Sequence, residues 1–510
     1  MIQTWTIQNF KSVSDKTTLN MKPLTIFAGP NSSGKSTLIQ SILLVAQTLQ
    51  TTVNSQSVVL NGHILRLGSF DDIIFNHQSD QTVLIGFGLT LISETESLQG
   101  EKGTIECDFA FSLNSDQKSD NRRLHPVLEE SAIRSSQPAL KIKTLRRRVP
   151  RNAEKSGIPS ESPRSSAASA LKKPPQTTIF SARKIHGSIN RKLEKFCLKD
   201  NRLQKAETDS LQYEITTPRT SSDMGLMVKM IDDKTGNTDV SKGIAGASFS
   251  HFLPKALAYI YHEIEGELEQ INCFVESKSM NLHEFEDISV KKSSFRFTHL
   301  PGSVYFAVEN IQSYFNEHLK YLGPLREDPK PIYPLSDTMD SKDVGIRGEH
   351  TASVLNIHSN TRIEYIPSEQ FAADEQNPCS KFSTLSDAVL DWLDYMGVVS
   401  NVKTAKLGNI GVELKVTLDN AFWHDLIHVG IGVSQVLPIV VSALLAEKGA
   451  TLIFEQPELH LHPRVQTRLA DFFLSMTILK KQCIVETHSE YLVNRLRYRS
   501  VMAEGDQVSD

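Results

Sequence analysis

Gly29-Pro30-Asn31-Ser32-Ser33-Gly34-Lys35-Ser36-Thr37 satisfies every fixed position of the phosphate-loop pattern G-x-x-x-x-G-K-[ST]. Ahead of it, Leu24-Thr25-Ile26-Phe27-Ala28 is a short apolar run with β-branched residues, the signature of a buried strand. Behind it, Leu38-Ile39-Gln40-Ser41-Ile42-Leu43-Leu44 has the pattern of a helix. Strand, loop and helix in this order wrap backbone N–H groups around phosphates at a positive helix end. Lys35 is then expected to reach the β/γ oxygens and Ser36 to ligate magnesium. Gly29 and Gly34 permit the tight turn. A chance Gly/Ser-rich turn would not carry the correct flanks, so nucleotide binding in an α/β fold is the starting point.

The chain of 510 residues has room for about three ordinary domains. It contains no run of some eighteen apolar residues, and residues 1–7 lack a charged n-region. The expectation is a cytoplasmic protein without a membrane contact. Five scattered cysteines with no C-x-x-C spacing argue against a disulfide framework or a zinc ribbon. The net charge of −4 gives no global sign of nucleic-acid binding, but the charge is unevenly spread.

Residues 2–10 and 17–21 alternate like strands that lead into the one before the phosphate loop. Two longer β-type runs, 82–92 and 103–113, suggest an antiparallel sheet beside the nucleotide fold. Between 134 and 205, nineteen Lys/Arg face four Asp/Glu, with many Ser and Pro, so 135–185 is expected to be basic and disordered. This insert has two open readings: an electrostatic contact for DNA or another acidic partner, and a solvated linker. Strands follow at 211–216 and 226–231, then helical periodicity at 252–260 and helices at 304–321 and 385–396. Strands at 402–407 and 412–418 lead into the C-terminal block. No sustained heptads and no internal repeat occur.

That block carries the rest of the expected site. Thr451-Leu452-Ile453-Phe454 is an apolar strand ending in Glu455-Gln456-Pro457-Glu458, the shape of a Walker B element whose carboxylate holds magnesium. Upstream, Val429-Gly430-Ile431-Gly432-Val433-Ser434-Gln435 precedes a helix; Gly430, Gly432 and Ser434 can present N–H groups and a hydroxyl to a γ-phosphate. Leu459-His460-Leu461-His462-Pro463 follows, with Pro463 suited to the first turn of a helix. Strand 482–485 then delivers Glu486-Thr487-His488-Ser489, which places His488 where a γ-phosphate sensor belongs. A metal pair at His460 and His462 lacks a third ligand.

With these residues in view, the chain resembles the ABC-class ATPases that include the SMC/RecF and OLD-like proteins. The resemblance rests on Ile7-Gln8-Asn9-Phe10-Lys11-Ser12, Tyr321-Leu322-Gly323-Pro324-Leu325-Arg326, residues 429–438, 455–463 and 486–489, not on the insert at about 115–300. It implies an α/β P-loop head formed from both chain ends. The expected division is an N-terminal lobe at 1–114, an insertion at 115–300 and a C-terminal lobe at 301–510. It further implies a homodimer with ATP and Mg2+ between two protomers, one giving 29–37, Glu455 and His488, the other Gly430, Gly432, Ser434 and Gln435. Relatives act near DNA or in defence against phage with a nuclease or toxin partner, so a separate effector is expected.

Two departures bear on mechanism. Against the family's apolar-Asp-Glu-Pro pattern, Glu455 falls at the magnesium position and Gln456 where a catalytic glutamate commonly stands. A neutral amide cannot take a proton from water, so slow hydrolysis with Glu458 or Glu455 as helper is expected. The chain also stops soon after 490–499, where relatives continue, and no Toprim-like nuclease segment follows. The leading expectation is therefore a slow ATPase serving as sensor or scaffold; the alternatives are a nucleotide-binding structural module without turnover and a DNA-repair ATPase. A transporter motor fits poorly, because about four hundred residues separate phosphate loop and Walker B.

Overall fold

The computed structural model describes residues 1–30, 34–51, 58–78, 81–91, 103–113, 126–137, 176–184, 226–232, 244–264, 267–270, 293–299, 302–334, 342–375, 377–419 and 421–504. Asn31, Ser32 and Ser33, the strand expected at 211–216 and most of the basic insert lie outside the described residues.

The chain opens with β1 (Ile2–Gln8), β2 (Thr17–Asn20) and β3 (Leu24–Ala28), then α1 (Lys35–Gln50). Antiparallel strands follow: β4 (Val83–Leu91), β5 (Gly103–Ser112), β6 (Val127–Gln137), β7 (Gln176–Lys184) and β8 (Leu226–Asp232). These make a seven-stranded sheet in the order β2-β1-β4-β5-β6-β7-β8, so the sheet expected from 82–113 is larger than the sequence suggested. Strand β7 falls within the span expected to be disordered.

A second antiparallel sheet contains β9 (Ile244–Ser250), β10 (Leu253–Ile264), β11 (Glu267–Gln270) and β12 (Ser293–His299). This corrects the helix expected at 252–260. Its apolar run has β-branched and aromatic members, and a short apolar run does not distinguish strand from helix by periodicity. Helix α2 (Gly302–Ser313) continues as a π turn to His318, and β13 (Leu319–Leu322) begins where the expected helix was to end. A wider i to i+5 turn often marks the exit of a helix at a working part of a molecule.

Beyond β14 (Tyr333–Pro334) come α3 (Thr351–His358), β15 (Arg362–Tyr365), α4 (Ser368–Ala372), β16 (Lys381–Thr384) and α5 (Leu385–Met396). Thr384 caps α5 by accepting from Asp387 N–H, and Gly397 ends it at φ 72°, the left-handed stop that glycine favours. A hairpin of β17 (Asn401–Leu407) and β18 (Gly411–Thr417), with β19 (His424–Asp425) at its side, leads to α6 (Gly432–Leu445). The last elements are β20 (Thr451–Glu455), α7 (Pro463–Ile478), β21 (Gln482–Thr487) and α8 (Glu490–Glu504).

The element that positions the site is a parallel sheet in the order β13-β20-β21-β3. Strands from residues 24–28 and 482–487 lie side by side, with Cys483 opposite Leu24 and Thr487 opposite Ala28. Both faces are covered, as a parallel sheet requires. Because side chains alternate, Ile453 and Ile484 enter one core with Trp5, Phe87, Phe109, Phe315 and the buried α1. Leu452, Phe454, Cys483 and Val485 enter the other, with Trp392, Phe472, Phe473 and α6. Helices α1 and α6 are buried nearly all round, which explains why neither shows a polar face. Near the sheet's other end, Gln482 exchanges two hydrogen bonds with the Ile2 backbone, at 2.9 and 2.7 Å, and Thr451 Oγ1 donates to it at 2.7 Å.

Helix α8 is held on α7 by a buried charge. Asp471, fully buried, accepts from Tyr395 Oη at 2.8 Å, Arg499 Nε at 2.7 Å and Arg495 Nε at 3.1 Å. Such a carboxylate is tolerated because each lone pair finds a donor. Among the described residues, no helix is long and apolar enough to cross a membrane.

Candidate functional site

All four strands of the parallel sheet end at the same rim, and the chemistry gathers there. Strand β3 runs into Gly29, at φ 147°, and Pro30; Gly34, at φ 87°, then turns the chain into α1. A Cβ at Gly34 would strain this left-handed turn and come within 3.3 Å of Ser12 Oγ. Lys35 folds back on its own loop, donating to Gly29 O at 3.0 Å and Pro30 O at 2.7 Å. An ammonium resting on two loop carbonyls has weak partners that the charged oxygens of a phosphate can replace. Thr37 is buried in the first turn of α1, 3.3 Å from Ser12 Oγ.

Ser36 faces the C-terminal block: its Oγ donates to Glu486 Oε1 at 3.1 Å, across 450 residues of sequence. Glu486, next to last in β21, lies in register with Glu455 at the end of β20. Burial, followed by the charge of Glu486, pushes the Glu455 carboxyl up to about 7. Tyr321, from β13, donates from Oη to Glu455 Oε1 at 3.3 Å, and burial followed by the Glu455 charge raises its own ionisation. The serine hydroxyl and two carboxylates are hard oxygen donors of the kind magnesium takes. Two neighbouring carboxyl groups beside a hydroxyl are suited to a divalent cation, so the residues present fit Mg2+. Glu486, Tyr321 and Arg326 were not assigned to the expected site. The signal available was the position of Glu486, one strand over and at the same level as Glu455.

After Glu455 the backbone enters the left-handed region at Gln456, φ 44°, and again at His460, φ 59°. A non-glycine residue held there costs on the order of 1–2 kcal/mol, which the surrounding bonds must offset. Gln456 N–H donates to Glu486 O at 2.8 Å and so pins the turn to the neighbouring strand. Glu458 is buried, and its Oε1 accepts the His488 backbone N–H at 2.6 Å. The His488 side chain is exposed just beyond β21, at the rim. His462 is the N-cap of α7, its Nδ1 accepting from Arg464 N–H at 3.2 Å, and Pro463 follows in the first turn.

The signature-like loop has a different character. Gly430 has open space where a Cβ would stand, and Gly432 lies against Leu461. Ser434 and Gln435 are buried in the first turn of α6, with Ser434 Oγ donating to Ile431 O at 2.7 Å. The hydroxyl is therefore engaged in its own helix, while Gly430 and Ile431 are exposed residues.

Both ends of the chain match ATPase families. Residues 1–234 match the AAA ATPase domain, and residues 416–494 match the family described as AAA domain, putative AbiEii toxin, Type IV TA system. The first match contains the phosphate loop, and the second contains α6, Glu455 and His488. Among solved structures, the chain is similar to an SmcHead bound to the C-winged helix domain of ScpA, with 9% identity and a TM-score of 0.35. It is also similar to the SMC head domain from Thermotoga maritima, at 7% and 0.29. A third is the Smc head domain with an extended coiled coil bound to the C-terminal domain of ScpA derived from Pyrococcus furiosus, at 10% and 0.32. Each alignment covers 97% of this chain and 91% of the other. The comparison with curated proteins gives no match.

Proposed function

We propose that this protein binds ATP with Mg2+ at the rim of the parallel sheet and hydrolyses it slowly. The observation that carries the reading is the Ser36–Glu486 contact, which joins the phosphate loop to the carboxylates of the C-terminal block. Lys35 and the loop N–H groups would hold the phosphates, and Ser36 with Glu455 and Glu486 would hold the metal, which supplies charge neutralisation at the transferring phosphoryl group. Water adds to the γ-phosphorus as the bond to the bridging oxygen breaks, the electron pair leaving with ADP. The water's proton needs an acceptor, and Gln456 is not one. Glu458, two residues on and buried, is the acceptor in this reading, with His488 beside the γ-phosphate.

Two copies are proposed to close on the nucleotide, the exposed residues 430–431 of one meeting the triphosphate of the other. Trp423, Ile427 and Ile431, exposed apolar side chains around that loop, support an interface there. The ATP-bound dimer would act as sensor or scaffold for a separate effector in a DNA-associated or anti-phage complex. The toxin–antitoxin wording of the family matched by residues 416–494 supports the defence setting. Contact with DNA through the insert at 134–205 belongs to this proposal and rests on its charge.

The test is Mg2+-dependent release of phosphate from ATP. Lys35→Ala is expected to lower it by roughly a hundredfold or more. Gln456→Glu is expected to raise it if the missing base limits the rate. Binding of ATP without turnover in either the wild type or Gln456→Glu would leave the structural module, the reading that Gln456 itself favours.

A further inference from the structure

At the carboxylate side of the rim, two buried charged groups are incompletely hydrogen-bonded. Arg326 is only 6% exposed, yet its Nε and Nη1 make no hydrogen bond. Glu458 is 9% exposed; one oxygen accepts the His488 N–H while Oε2 has no partner. A buried guanidinium left unpaired costs several kcal/mol unless something else compensates it. Burial, the largest influence, pulls its ionisation down to about 10, and the carboxylates of Glu455 and Glu458 act the other way. Two incompletely bonded groups of opposite charge, carried by different segments, therefore lie within electrostatic reach of each other.

The backbone carrying Arg326 is fixed. It follows β13 directly, and the two ends of its turn are tied to one neighbouring segment: Gly323 N–H donates to Ile346 O and Glu327 N–H to Arg347 O, both at 2.8 Å. A Cβ at Gly323 would lie 3.0 Å from Tyr321 Oη, so the turn also packs against the tyrosine that holds Glu455. An arginine on so restrained a turn reaches its partner by side-chain rotation alone. Glu455 competes for its charge. A cation held by Glu455 and Glu486 neutralises that competitor and leaves the guanidinium to Glu458.

We propose that Arg326 is the positioning residue for Glu458: with nucleotide and metal bound, its guanidinium pairs with Glu458 Oε2 and holds that carboxylate ready to accept the proton of the attacking water. This rests on the ATPase reading above for its consequence, but not for the pairing itself. The pair fixes the carboxylate that takes the proton-accepting role Gln456 cannot fill, and it links the β13 turn to the segment that carries His488.

The test is a double-mutant cycle on Arg326→Gln, Glu458→Gln and the double substitution, read in two ways. In turnover, each single change is expected to lower kcat about tenfold or more with KM for ATP altered less than threefold. The double change is expected to be no worse than the poorer single, and Arg326→Lys to recover most of kcat. In thermal melting with saturating ATP and Mg2+, the double variant is expected to lose at least two degrees less than the sum of the singles, with a smaller difference in the apo protein. Multiplicative kcat losses with additive melting shifts, or the same coupling with and without nucleotide, would overturn the proposal. If the wild type hydrolyses no ATP, the function proposed above fails while the melting cycle still decides whether the pair forms.

Discussion

The two halves of the rim are built differently. On the phosphate side, Lys35 is satisfied by carbonyls five and six residues away, in contacts half-open to solvent. On the carboxylate side, Tyr321 and Arg326, Glu455 and Glu458, and Glu486 come from three segments far apart in sequence, are mostly buried and carry charges that are poorly matched. The first half is a local conformation that can be exchanged for a ligand at small cost. The second stores electrostatic tension, which the proposed cation would relieve.

The sharpest way to break this contrast is to remove one group from each half. Glu455→Gln is expected to cut Mg2+-dependent turnover by about a thousandfold, on the order of 4 kcal/mol, while ATP binding stays within about threefold. Lys35→Ala is expected to lose binding as well, seen by equilibrium binding of a fluorescent ATP analogue. Equal loss of binding in both would place the two halves on the same footing.

A smaller effect tests the tension directly. Glu455 titrates near 7 in the folded protein against an ordinary value of 4.5, so the native state binds more protons between these limits. Its contribution to stability is full below about pH 4.5 and falls as pH rises to about 7. In metal-free protein, Glu455→Gln should therefore be more stable than wild type at pH 8, by at most about 3 kcal/mol, and no more stable near pH 4.5. Denaturant melts in EDTA at the two pH values measure this; destabilisation at pH 8 would show the carboxylate to be well solvated.

The smallest effect concerns the bond between the halves. Ser36→Ala leaves Glu486 Oε1 without its donor, and apo stability is expected to fall by about 1 kcal/mol or less, since the contact is only partly buried. Its loss of Mg2+-dependent turnover should be larger than that figure implies, because in the proposed site the hydroxyl would ligate the metal.

The phosphate side was legible because it is written in consecutive residues: a strand, a glycine turn and a helix in one stretch of the chain. Strands β20 and β21 were equally plain, being short apolar runs ending in acids. Strand β13 was missed because the helical pattern of 304–321 continues smoothly through it, and only its parallel pairing with β20 makes Leu319–Leu322 extended. At β10, Tyr259-Ile260-Tyr261 fits strand and helix alike, and pairing with β9 and β12 decides it. Glu486 and Arg326 escaped for a related reason. Their importance comes from what stands opposite them, and no spacing within the chain records that.

The pairing of β3 with β21 has a consequence for how the molecule comes into being. Among the described residues, the strand that feeds the phosphate loop has one sheet neighbour, and that neighbour starts at Gln482. At ribosomal rates of about 5–20 residues per second, this strand waits roughly 20–90 s after its own synthesis for a companion. During that interval the nascent chain has a glycine turn but no acids beside it, so the complete rim exists only once residues 482–487 have been made.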